Sequence, residues 1–365
     1  MSVDRFSRAR RRDRQVYLVG RPVIFPLLAA VRRFPAIRVG SRMVINDPDL
    51  VRTVLTEVPL DRTSAGTMGG SVRKHHGTGG IFDESGADHR ASKRALAARL
   101  DSTGVAALRP FWQPAIADMT DRLAAGRTVD MCRFADELAG RTTAALLGVD
   151  VPSPRWCVDL AVAARRTAAL SAAEEIPSPR RLLRRNGFVD HLDDLLGEHA
   201  DPLSKVLALA TINTTVAAIP RAVAWCADAD LWADAADEAI RSRLVTELLR
   251  VTAPTPLLPR VAAEDAMVGG RPVRRGDQLL LMVLHAARSR ERGPDPRNPA
   301  PVREANLVFG AGARACPGAR LAREQLGDVL AAVAPYRPAV MRARAERGGA
   351  LPSWAQLTVR ARGDA

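Results

Sequence analysis

The run FGAGARACPGARLARE, Phe309 to Glu324, surrounds one cysteine with small residues, an arginine and a Pro-Gly step. Proline favours the first position of a helix, so Pro317 places Cys316 at the N-cap. Free backbone N–H groups and the positive end of the helix dipole would then face the sulfur. Both favour the thiolate, which is the metal-binding form. Gly310 and Gly312 permit a tight turn with positive φ. Gly318 removes bulk, so a large flat group could lie against the backbone. Arg314 supplies a fixed cation suited to a carboxylate.

A thiolate ligand, a flat partner and carboxylates together describe haem. The frame Phe309-Gly310-x-Gly312-x-Arg314-x-Cys316-x-Gly318-x-x-Leu321-Ala322-Arg323 resembles the haem-binding signature of cytochrome P450 proteins, above all the soluble bacterial ones. The resemblance implies that Cys316 is the axial ligand of a haem b iron. It also implies that Arg314 binds a haem carboxylate, that Phe309 packs near the sulfur, and that Gly310, Gly312 and Gly318 shape the haem cradle. Glu247-Leu-Leu-Arg250 matches a second mark of the family, a Glu-x-x-Arg pair on one helix face that is structural there. Arg260 matches an arginine that reaches a haem carboxylate, and Leu257 and Leu258 before it would border the substrate space. His89 in DHRASKR resembles a carboxylate-binding histidine, with Lys93 one turn later as a second cation. The resemblance is strong from about Asp88 to Leu326 and weaker before Arg33 and after Pro335.

The chain departs from the family on its central helix. Over the haem, the family usually carries Ala/Gly-Gly-x-acid-Thr, whose acid and threonine relay protons to dioxygen. Here the segment reads Ala210-Thr211-Ile212-Asn213-Thr214-Thr215. Thr214 fills the threonine place, Asn213 replaces the acid, and Thr211 replaces a small residue beside Ala210 in the substrate pocket. An asparagine amide can order water but carries no titratable proton. In one reading Thr214 and water suffice, and the protein is a monooxygenase that hydroxylates or otherwise oxidises a small organic molecule. In the other, the chemistry shifts to peroxide use, coupling, desaturation or rearrangement. The first is favoured, because haem-thiolate chemistry resides in the cofactor. Asn306 also stands where the family often has histidine or arginine.

Helical periodicity is expected over Asp88–Leu100, Pro114–Ala125, Asp130–Leu147, Pro154–Leu170, Pro179–Leu196, Pro202–Ile219 and about Ala233–Arg250. Pro220 is expected to kink or end the central helix. Ala36–Asp47 reads as a β-hairpin around Gly-Ser, Leu257–Ala262 as a short strand, and Ala266–Val283 as two strands. Tyr336–Val359 reads as short strands. The Gly/Ser/Thr/His-rich segment Thr63–Ser85 reads as a long functional loop. The expected fold is mainly α with a small β region, a single domain over residues 15–365. The resemblance adds a triangular helical prism around haem. Residues 1–14, with six arginines, read as a solvated, disordered tail.

Aromatic residues make up 4% and apolar residues 47%, so the core must be largely Ala, Leu and Val. The four cysteines show no C-x-x-C spacing, which argues against structural zinc and for a reducing cytoplasm. No apolar run approaches the length of a membrane span. The formal charge is +14, with 54 Lys+Arg against 40 Asp+Glu. That permits a basic helical nucleic-acid-binding protein, but aromatic residues for base stacking are few and no binding motif is present. The charge fits an acidic ferredoxin docking near Arg314, Arg320 and Arg323, or an acidic carrier protein presenting a tethered substrate. The chain carries no flavin or iron–sulfur module. Electrons would come from NAD(P)H through a separate reductase and ferredoxin to a monomer, in bacterial secondary metabolism.

Overall fold

A computed structural model describes residues 5–64, 67, 69–70, 73–74, 81–175, 188–288 and 292–362. Five of its helices start on an aspartate that accepts backbone N–H hydrogen bonds: Asp47, Asp101, Asp130, Asp201 and Asp237. Such N-caps offset the donors a helix start leaves unpaired. They fix the helices Pro48–Thr56, Ser102–Ala124, Met131–Leu147, Pro202–Ala229 and Glu238–Thr252. Two further helices, Gly86–Arg99 and Pro154–Glu175, flank them, and Ala319–Val333 follows the cysteine loop.

Small residues let these helices come close. A Cβ added at Gly140, on Met131–Leu147, would lie 2.2 Å from the carbonyl oxygen of Cys157 on the next helix. The main core runs through Trp112, Leu138, Ile212, Val216, Trp225, Leu248 and Val329. The central helix, Pro202–Ala229, lies inside it. By length and apolar content it could cross a membrane, a feature missed in the sequence, but 67% of its most apolar window is buried in the protein.

The β part forms a second core. Strands β1 (Ala36–Val39), β2 (Arg42–Ile45), β3 (Leu60–Asp61), β5 (Leu258–Ala262) and β8 (Gln278–Leu281) make a sheet ordered β1-β2-β8-β5-β3. Only β2 and β8 run parallel. Strand β4 (Val129–Asp130) joins β9 (Ala339–Ala345) and β10 (Trp354–Arg360), and β6 (Ala266–Val268) pairs with β7 (Arg271–Val273). Met43, Ile45, Val54, Leu279 and Leu281 form the second core, which also takes Leu307 and Ala311 of the cysteine loop. Phe309 of the same loop and Leu321, on the helix that follows it, pack on the helical core. The loop therefore bridges the two cores, and each fixes one side of it.

Four expectations need correction. Residues 7–14 are not a disordered tail: Ser7–Gly20 is a helix with Asp13, Val16 and Tyr17 buried. Pro220 does not end the central helix, which continues to Ala229, because the packing on every side of that segment holds it. Ala233–Arg250 is two helices, Trp232–Ala236 and Glu238–Thr252, divided where Asp237 caps the second. Ala266–Val283 contains three strands, since Gly276 turns the chain again before β8. The expected helix Pro179–Leu196 is described only from Phe188 to Leu196, and residues 179–187 lie outside the described residues.

Candidate functional site

Of the four cysteines, Cys132, Cys157 and Cys226 are buried and only Cys316 is exposed. Its N–H donates to the Phe309 carbonyl at 2.7 Å, closing the turn. Gly310 (φ 74°) and Gly312 (φ 66°) adopt left-handed backbone, as that turn requires. Gly312 has a second reason besides its φ. A Cβ there would meet the Leu55 carbonyl oxygen and Thr56 Cγ2, both at 3.1 Å, so this glycine admits the helix Pro48–Thr56. A Cβ at Gly318 would meet only the Cys316 sulfur, at 3.8 Å.

The helix after the loop begins at Ala319 with Gly318 as N-cap, so Cys316 stands two residues before the expected place. Its sulfur is accessible yet set among dense protein, and that burial pushes the thiol above its ordinary pKa. The Gly318 N–H, Lys93 and Arg323 pull the other way. The helix start alone does not make the thiolate. A coordinated metal does, because it replaces the proton outright.

Basic side chains converge on this loop. Arg314 donates to the carbonyls of Ile81 at 3.1 Å and Glu84 at 2.5 Å, tying the loop to the segment before helix Gly86–Arg99. Lys93 donates to Ala313 O at 2.6 Å. Arg323 stacks 4.5 Å from the Phe309 ring centroid and donates to Asn306 Oδ1 at 2.7 Å. Of the three arginines expected to greet an acidic partner, Arg314 and Arg323 thus hold the loop itself, and Arg320 is the exposed one. His89 is buried, and burial with Arg314, Lys93, Arg62 and Arg90 lowers its pKa to about 4, so it is neutral.

Arg260 uses Nη1 on the Pro259 carbonyl, and its Nε is buried without a hydrogen-bond partner. Burial, then Arg314, lowers it to about 10. Sequence reasoning missed Arg62. Burial, then Arg314 and Arg260, lowers this residue to about 9. Its proximity to Arg260 depends on strand pairing, and no local signal marks it.

These residues fit haem. They offer one accessible thiol, and the guanidiniums Arg62, Arg260 and Arg314 crowd one another, with Glu84 as the only carboxylate among the described residues that acts on Arg314. Like charges brought together in partial burial need an anionic partner. The two carboxylates of haem supply one.

The Glu247–Arg250 pair forms with both side chains buried, at 2.9 and 2.7 Å. Arg250 also donates to the carbonyls of Ala287, Arg292 and Gly293, and Glu247 accepts the N–H groups of Asp295 and Ala300. The pair locks the approach to the cysteine loop onto its helix.

On the central helix, Ala210, Thr211, Asn213 and Thr214 are half-buried, while Ile212 and Thr215 are buried. Thr214 Oγ donates to Ala210 O at 2.8 Å, and Asn213 Nδ2 to Leu209 O at 2.8 Å. Asn213 and Val216 line a small cavity with Arg165, Glu346, Leu351 and Ser353. Its free space of about 10 Å³ takes the centre of one water molecule. Arg165 is ion-paired to Glu346 at 2.6 Å and to Asp136 at 3.0 Å. Leu257 and Leu258, at the start of β5, are half-buried.

A family model described as Cytochrome P450 matches residues 241–333, the stretch from the Glu247–Arg250 helix to the end of the helix after Cys316. Cytochrome P450 165C4 of Amycolatopsis orientalis is 28% identical over 267 residues, which are 66% of this chain and 65% of that protein. The matched part therefore spans just under two thirds of that relative. P450BioI, solved with an acyl carrier protein bearing hexadec-9Z-enoic acid, superposes with a TM-score of 0.73 at 18% identity, covering 95% of this chain and all of that one. P450 OxyD, described as involved in biosynthesis of vancomycin-type antibiotics, superposes at 0.68 with 18% identity over 96% of this chain and 98% of its own.

Proposed function

Because this chain belongs to the cytochrome P450 family and has its fold, we propose that it is a haem-thiolate monooxygenase oxidising a small organic molecule in bacterial secondary metabolism. The observation that carries this reading is Cys316, an accessible thiol in a turn shaped by Gly310 and Gly312 and next to Arg314, one of three guanidiniums whose charges act on one another. Haem on a cysteine thiolate supplies the electron-rich iron that activates dioxygen.

The chain's own residues have separable parts. Cys316 ligates, with Lys93, Arg323 and the Gly318 N–H stabilising negative charge on its sulfur. Arg314, Arg260 and His89 would hold the haem carboxylates. Thr214 Oγ, which donates to Ala210 O, would be the hydroxyl that moves a proton, and Asn213, on the small cavity with Arg165, can order a water there but gives up no proton. Ala210, Thr211, Leu257 and Leu258 border the substrate. This arrangement supports oxygen-dependent hydroxylation over peroxide use, since the threonine hydroxyl remains in place. Electrons arrive from NAD(P)H through a reductase and an acidic ferredoxin, for which exposed Arg320, Arg90 and Arg94 offer a basic face. The carrier-protein complex of P450BioI supports a substrate tethered in the same way. The protein works in the cytoplasm.

The test is spectroscopic. The purified protein should be red, and its reduced carbon-monoxide adduct should show the thiolate-type Soret band. Cys316→Ser loses that band. A colourless preparation that haem does not reconstitute overturns the reading. Substrate-induced shifts across a compound library, followed by turnover, then identify the substrate.

A further inference from the structure

We infer that Arg62 is a haem-carboxylate ligand in its own right, forming with Arg260 and Arg314 a three-arginine clamp. The inference rests on the haem-thiolate reading above and extends it to a residue outside the expected set.

The geometry begins with strand register. Strands β3 and β5 are antiparallel, with Leu60 opposite Ala262 and Asp61 opposite Val261. Continuing that register by one residue, past the end of β3, would set Arg62 opposite Arg260, and the two charges act on each other. Like charges directly opposite on neighbouring strands are destabilising. The Asp61 side chain accepts hydrogen bonds from the N–H groups of Thr63 and Ser64, so it is spent on the turn that follows. Among the described residues no hydrogen bond is found for the Arg62 side chain, and Arg260 Nε is buried without one. Arg314 is the third cation, and it acts on both.

The charges point to the occupant. Glu84 acts on Arg314, and its Oε2 is buried without a hydrogen bond. No carboxylate among the described residues acts on Arg62 or Arg260, and the two carboxylates of haem would supply what they lack. Lys93 donates to Ala313 O, a neutral carbonyl, so its charge adds to that of Arg314 beside it. The opposed arginines are unfavourable alone and favourable once a dianion lies between them.

The experiment follows haem rather than turnover. Holoprotein is mixed with excess apomyoglobin, and the rate of haem transfer is read from the Soret band. A charge-assisted hydrogen bond contributes enough that Arg62→Met should release haem about ten- to a hundred-fold faster. Arg62→Lys keeps the charge at shorter reach and should fall between the two. Protein loaded with haem dimethyl ester, which lacks the negative charges, should release it at the same rate with or without Arg62. Unchanged haem release in Arg62→Met overturns the inference, and so does an equal acceleration for haem and its dimethyl ester, which would mark Arg62 as a fold residue only. Should Arg62→Met not fold, Arg62→Lys decides by the same comparison. Failure of the wild-type protein to bind haem at all removes the haem-thiolate reading itself, a result distinct from unchanged release.

Discussion

Arg221 donates to both carboxylate oxygens of Asp13, 208 residues earlier in the chain, at 2.7 and 3.1 Å. Both side chains are buried. Arg221 also reaches the Tyr17 hydroxyl, which donates to Thr252 O at 2.5 Å, and Arg288 adds a second ion pair to Asp13 at 2.7 Å. The N-terminal helix is thereby fastened to the central helix and to the end of the Glu247–Arg250 helix. Removing one partner of a buried pair leaves the other charged and alone, at a cost of about 3–5 kcal/mol. Asp13→Ala should lose about that much in urea unfolding, and deletion of residues 1–14 at least as much. A deletion as stable as the full chain would contradict this packing.

The Glu247–Arg250 pair has the same exposure to single substitution. Glu247→Ala strands the Arg250 guanidinium and frees the N–H groups of Asp295 and Ala300. A loss of about 3–5 kcal/mol is expected, with haem retention falling because the approach to Cys316 loosens. The double variant Glu247→Ala/Arg250→Ala should cost less than the two single losses added, as coupled pairs do. Strict additivity in denaturant unfolding would show that the two do not act as a unit.

Thr214 and Asn213 make opposite predictions. Thr214→Ala should lower product formed per NAD(P)H by about a hundred-fold, the scale of a positioned proton donor. Hydrogen peroxide should rise in its place. Asn213→Asp puts a titratable group on the cavity that Arg165 also lines and should raise coupled turnover. No rise would mean that the threonine and water already suffice.

His285 gives a pH dependence. Its Nδ1 lies 2.7 Å from Asn46 Oδ1, and the Asn46 amide nitrogen is committed to the carbonyls of Val31 and Phe34. Nδ1 therefore donates to Asn46. Burial, then Arg32 and Arg288, lowers the His285 pKa to about 4 from 6.5. Between those values the unfolded chain binds the extra proton and the folded protein does not. Stability is thus full above pH 6.5 and falls as pH drops toward 4, by up to about 3 kcal/mol from this residue. His285→Gln should flatten that part of the unfolding curve.

Gly312→Ala should cost about 1–2 kcal/mol from its left-handed φ, and more from the contact with Thr56. Thermal unfolding of the apoprotein reads this without haem. An unchanged midpoint would mean that the loop relaxes.

What the sequence determined by itself was local. The frame around Cys316, the i,i+3 spacing of Glu247 and Arg250, and the aspartates ahead of helices all act within a few residues. Backbone geometry turns such spacing directly into contact. The helical class with a small β part was legible for the same reason. The tertiary structure alone decided which distant groups meet. Asp13 finds Arg221, Asn213 shares its cavity with Arg165 and Glu346, and Arg62 comes near Arg260. An arginine-rich N-terminus reads as solvated because its six arginines outnumber its two aspartates and little in it is apolar, yet burial beside Asp228 and Arg221 orders it. Pro220 reads as a helix end because its lost hydrogen bond is a local fact, while the packing that carries the helix past it is not.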